Sequence, residues 1–161
     1  MFTGCSSQNK SASQPGNTKT DRLNVSKREN AENKILFLTL GITLTDSARD
    51  TYQFTLINAV FGDGILNKSS FKNDENFEPY HLYCEITDAN KKRVDFIKVK
   101  NPLLKVFEYS PNKERLEKKL FTSKTGELYL RFQFNKHSKF LAIYKPQPDL
   151  RTLKKIYHAQ I

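Results

Sequence analysis

Between Glu127 and Phe134 the chain alternates without a break. Leu128, Leu130, Phe132 and Phe134 are apolar, while Glu127, Tyr129, Arg131 and Gln133 carry polar groups. A period of two is the pattern of a β-strand that buries one face. A second apolar run, Phe140 to Tyr144, follows the polar stretch from Asn135 to Lys139. The two runs read as an antiparallel hairpin with a loop longer than the minimum. Because a lone hairpin is marginal in water, the rest of the chain has to bring further strands to its Leu/Phe face.

The remainder of the sequence offers them. Residues 35–44 are a mostly apolar run, too short to cross a membrane and suited to a buried strand. Residues 51–58 alternate, with Tyr52, Phe54 and Leu56 on one side. The stretch from Phe61 to Gly64 reads as a turn, and residues 67–79 as a polar connection, the longest in the domain, carrying Asp74, Glu75 and Glu78. Residues 80–88 set Leu82, Cys84 and Ile86 against His81, Tyr83, Glu85 and Thr87. A turn over residues 89–92 leads into a returning strand, 94–99. Residues 103–109 alternate again after Pro102. Residues 115–122 fit either a helix face or a strand; the tight turn at 122–126 favours the strand. Residues 150–161 close the domain, with Leu153, Ile156 and Tyr157 inward.

Turn signals every 8–12 residues and no long helical period are the signature of a sandwich or barrel. The expectation is an all-β domain over residues 34–161, a single two-sheet β-sandwich of immunoglobulin-like character with eight or nine antiparallel strands. The segment 80–109 resembles sandwich modules that accompany secreted bacterial enzymes, which bears on fold alone.

At the other end of the chain, Thr3-Gly4-Cys5 followed by Ser6-Ser7 places small residues just before and after a cysteine. This resembles the lipobox of bacterial envelope lipoproteins, although Phe2 stands where Leu is usual. The basic and apolar regions of the signal peptide would then lie upstream of Met1. The resemblance implies that Cys5 is the lipid-attachment residue, acylated after cleavage, and that the protein is anchored in the cell envelope, on an outer-membrane, periplasmic or surface face. More than one acyl chain gives stable anchoring. From Ser6 to Asn33 the sequence is rich in Ser, Asn, Thr and Lys with few large apolar residues, so residues 1–33 read as the attachment cysteine plus a flexible tether. Within it, Ser26 and Glu29 have capping-box spacing.

The chain carries 27 Lys and Arg against 17 Asp and Glu, a formal charge of +10. That balance attracts anionic surfaces. Between Lys136 and Lys155 stand six of the cations, Lys136, Lys139, Lys145, Arg151, Lys154 and Lys155, against one acid, Asp149. They form a candidate patch for an anionic partner, and also suit a solvated sheet edge that resists strand addition. No nucleophile elbow, phosphate loop or dinucleotide glycine motif occurs. His81, His137 and His158 lack metal-ligand spacing, and the acids of the 67–79 connection lack a calcium register. Cys84, on an apolar strand face, reads as a buried free thiol. No catalytic residue, metal site or cofactor emerges. The sequence points to a non-catalytic module binding a protein or anionic glycan, with nucleic acid unlikely under an envelope location. The alternative is a cytosolic basic β-domain that binds nucleic acid or regulates another protein, with Tyr129 and Arg131 placed to stack on bases.

Overall fold

The computed structural model describes residues 21–23, 34–67, 77–110 and 117–161. Cys5, Ser26, Glu29, Asp74, Glu75 and most of the expected tether lie outside them. The described residues contain no helix. Their strands are β1 (Asp21–Arg22), β2 (Lys34–Asp46), β3 (Thr51–Asp63), β4 (His81–Thr87), β5 (Arg93–Lys100), β6 (Leu104–Tyr109), β7 (Glu117–Thr122), β8 (Thr125–Phe134), β9 (Phe140–Pro146) and β10 (Leu153–Gln160).

The strands form a five-stranded sheet in the order β1-β10-β9-β4-β5, a three-stranded sheet in the order β3-β2-β8, and a two-stranded ribbon of β6 and β7. The first two sheets face each other across one core, which makes the expected all-β sandwich. β2 is its spine. Leu36, Leu38, Leu40 and Ile42 all point inward and are at most 1% exposed, and burial of each contributes about 1.5–3 kcal/mol. Opposite them, Leu82, Cys84 and Ile86 of β4 and Leu141 and Ile143 of β9 complete the layer. All neighbours are antiparallel except β1, which runs parallel to β10.

The two layers are joined at both margins. On one side the Asp95 carboxylate of β5 accepts a hydrogen bond from the Gln133 amide of β8 at 2.8 Å. Gln133 in turn donates through Nε2 to the Lys34 carbonyl at 2.9 Å and accepts through Oε1 from the Leu66 amide at 2.8 Å. On the other side Phe54 of β3 packs on Tyr157 of β10, with ring centroids 4.5 Å apart.

Four sequence expectations change. The β8 and β9 strands are not a hairpin. β8 pairs with β2, matching Leu128, Leu130 and Phe132 to Leu40, Leu38 and Leu36, whereas β9 lies between β10 and β4 in the opposite sheet. Their apolar faces meet across the core rather than side by side, and Asn135–Lys139 steps between layers, held by the Lys139 amide bonding the Thr87 carbonyl at 2.9 Å. The predicted turn at Phe61 is still strand. β3 runs to Asp63 and bends at Gly64, whose φ of 143° suits a residue without a Cβ. Tyr83, expected on a polar face, is 1% exposed. Phe77 packs edge-on against it and Phe96 stacks on it, and its hydroxyl accepts from the Glu78 amide at 2.8 Å. Finally, residues 21–23 of the expected tether join the fold: the Leu23 amide bonds the Gln160 carbonyl at 2.8 Å and its side chain enters the core.

Candidate functional site

The six cations singled out in the sequence do not form one patch. β9 begins beside Lys139 and ends beyond Lys145, so its six residue steps carry these two positions about 20 Å apart. Lys136 and Lys139 belong to the connection between layers at one end of the sandwich. Lys145, Arg151, Lys154 and Lys155 gather at the other, where Lys145 and Lys154 are cross-strand partners and Lys155 faces Tyr144.

Two turns build that second end. After β2, the Asp46 carboxylate accepts from the Ala48 and Arg49 amides at 2.9 and 3.1 Å, and the chain passes through Asp50 at φ 54°. Between β9 and β10, the Asp149 carboxylate accepts from the Arg151 amide at 3.0 Å and the Thr152 amide at 3.2 Å. Leu150 stands there at φ 53°, held by its amide bonding the Gln147 carbonyl and its own carbonyl accepting from the Phe77 amide at 2.7 Å. Aspartate tolerates the left-handed region; leucine does so only at a cost of about 1–3 kcal/mol. Both left-handed residues line the same cleft of about 510 Å³, together with Pro79, Pro146, Pro148, Lys145 and Lys154.

Charge in this cleft is organised around Asp50. Lys145 donates from Nζ to Asp50 Oδ1 at 2.7 Å and to the Tyr52 hydroxyl at 3.1 Å. Tyr52 also donates to the same carboxylate, and Lys154 Nζ lies 3.5 Å from Asp50 Oδ2. Burial works to raise the Asp50 carboxyl, but the bonds from Lys145 and Tyr52 and the two ammonium charges outweigh it and hold the group below the usual carboxylate range. The Lys145 ammonium is correspondingly held above its ordinary value, since its bonds to Asp50 and Tyr52 overcome its partial burial. Burial, then the bond to Asp50, raises the Tyr52 phenol. Two cations thus share one carboxylate, leaving an excess of positive charge beside an apolar, proline-walled hollow. The ammonium groups of Lys145 and Lys154 are the groups of this hollow that can hold an anion.

The remaining candidates are accounted for differently. Cys84 is buried in the core with its thiol pushed up by desolvation. His81 approaches Glu78 through Nδ1 at 2.9 Å, Glu78 also pairs with Lys98, and His158 stacks on Phe140. Among the described residues no three His, Cys, Asp or Glu side chains converge as metal ligands. Tyr129 and Arg131 lie on the outer face of β8, where the Tyr129 hydroxyl donates to the Glu127 carboxylate. Asp50, Tyr52 and Pro79 were invisible to sequence reasoning, because Asp50 is 95 residues from Lys145. Comparison of the chain with protein-family models, with curated proteins and with solved structures gives no significant match.

Proposed function

We propose that this chain is a non-catalytic binding module of the bacterial cell envelope, anchored through acyl chains on Cys5, and that the cleft beside Lys145 takes an anionic group of a protein or glycan partner. The observation that carries the reading is the placing of Lys145 and Lys154 on a hollow whose turn residue Leu150 is held in strained backbone, with Arg151 next to it in the same turn. Strain maintained by a built turn network is a mark of functional surfaces. The lipobox resemblance at Thr3-Gly4-Cys5 supports the anchored location, and the formal charge of +10 suits an anionic partner.

Two measurements test it. Expression behind a bacterial lipoprotein leader should give an intact mass equal to cleavage before Cys5 plus acyl chains; an unmodified N-terminus removes the envelope assignment. Polyglutamate and a sulfated glycan should be retained on immobilised protein at low salt. Arg151→Gln with Lys154→Gln should weaken retention about tenfold, at roughly 1 kcal/mol or less per exposed charge. Unchanged retention would move the binding site away from this cleft.

A further inference from the structure

We propose that the β6–β7 ribbon is a membrane-contact arm, which seats its apolar side chains among the headgroups of an anionic lipid surface independently of any acyl chain. The ribbon leaves the sandwich at the end that holds the cationic cleft. Its entry, at Asn101, is tied to Tyr80 by an amide-to-carbonyl bond of 2.9 Å, and its exit, at Lys124, accepts from the Leu44 amide at 2.8 Å. Both anchors flank the turns that bound the cleft. Among the described residues its strands pair with each other and with no other strand, and Lys105 to Tyr109 and Glu117 to Thr122 are all exposed.

Both faces carry large apolar side chains among charged ones. The register sets Phe107, Tyr109 and Phe121 on one side and Val106 and Leu120 on the other. These side chains stay open: Val106 is 55% exposed, Phe107 51%, Leu120 46% and Phe121 44%. Phe107 and Phe121 meet edge to face at 5.1 Å, and Lys119 stands over the Phe121 ring at 5.2 Å. Together with Lys105 they floor a shallow hollow of about 660 Å³. A two-stranded ribbon has little stability of its own, and exposed apolar groups on both of its sides gain most from surroundings that enclose it.

A protein groove or sheet edge covers one face of such an element. A second copy of this chain would bring the same lysines and the same net charge of +10 against it. A lipid interface meets both faces of the two strands, favours aromatic rings at headgroup depth, and lets lysines extend their amines to anionic phosphates. The unpaired edges of β6 and β7 limit insertion to the headgroup region, since bare backbone groups are not tolerated deeper.

The test uses the full chain with Cys5→Ser, which removes any acyl anchor and so separates this contact from the anchored reading. The protein should sediment with vesicles of phosphatidylcholine and phosphatidylglycerol, less with phosphatidylcholine alone. Phe107→Ser with Phe121→Ser should weaken that binding about tenfold or more, and Lys105→Gln with Lys119→Gln by roughly tenfold at low salt. The chain has no Trp, so Leu120→Trp gives a clean reporter in an otherwise intact ribbon. Its emission should shift to the blue on adding anionic vesicles and be quenched by brominated acyl chains. An unshifted emission, equal vesicle binding by the Phe pair variant, or a wild-type dimer that dissociates in that variant would each overturn the proposal.

Discussion

Asp50 shows how much one residue can carry here. Its left-handed backbone closes the β2–β3 turn while its carboxylate ties β3 to β9 and β10 through Lys145 and Lys154. Asp50→Asn keeps a side chain that accepts the left-handed conformation but removes the charge. We expect a loss of about 1 kcal/mol in denaturant unfolding, modest because the group is partly exposed to solvent. Two titrations follow from the local electrostatics. Partial burial and the charges of Lys155 and Lys91 hold the His158 imidazole below its ordinary 6.5. The unfolded chain therefore binds that proton more readily, and stability should fall as pH drops through 6.5 toward the lower folded value. Asp50, held below 3.8, adds stability that is present above that pH and lost on further acidification. Melting temperature followed against pH should show both slopes, with His158→Gln flattening the upper one and Asp50→Asn the lower. Cys84, correctly legible as a core thiol from its place in an alternating strand, should react with a thiol reagent in the Cys5→Ser background only as fast as the protein unfolds.

At the scale of elements, the seam between the layers depends on a side chain rather than a ladder. Asp95→Ala strips the acceptor from the Gln133 amide and should cost about 2 kcal/mol. Two strand glycines should behave in opposite ways. A Cβ on Gly126 would lie 3.0 Å from the Pro102 side chain and 3.1 Å from its carbonyl oxygen, so Gly126→Ala should destabilise by about 1–3 kcal/mol. On Gly41 the nearest atom is Ile57 Cδ1 at 3.5 Å, and Gly41→Ala should be neutral or stabilise by about 0.5 kcal/mol. Comparative denaturant unfolding of the two variants decides this. Strand identity was mostly plain in the sequence, because alternation follows directly from which face is buried, as in β8. Pairing was not. The uninterrupted apolar run of β9, with Leu141, Ala142 and Ile143 all buried, hinted at a strand between two neighbours, yet proximity to β8 in the chain suggested a hairpin that does not form. β6 read as one more alternating strand and β7 as a strand only through the turn that follows it, and no local signal told that their side chains remain exposed.

For the whole molecule, the consequence of the fold is polarity along its long axis. One end bears the proline-walled cationic cleft and the base of the apolar ribbon, and the other bears the β8–β9 and β4–β5 turns. A salt titration of partner binding should therefore report mainly on Lys154 and Arg151, with Lys136→Gln and Lys139→Gln changing affinity less than twofold, because those two charges sit about 20 Å away, more than a screening length at physiological ionic strength. The sequence by itself determined the all-β class, the inward faces of β4 and β8, the buried thiol and the overall positive charge, since periodicity and composition are local properties that burial and solvation read residue by residue. Only the tertiary structure decided that β8 and β9 lie in opposite sheets, that the cation cluster divides in two, and that Asp50 meets Lys145. Those outcomes depend on how strands far apart in the chain compete for the same partners, and that competition is settled when the two layers close on a shared core.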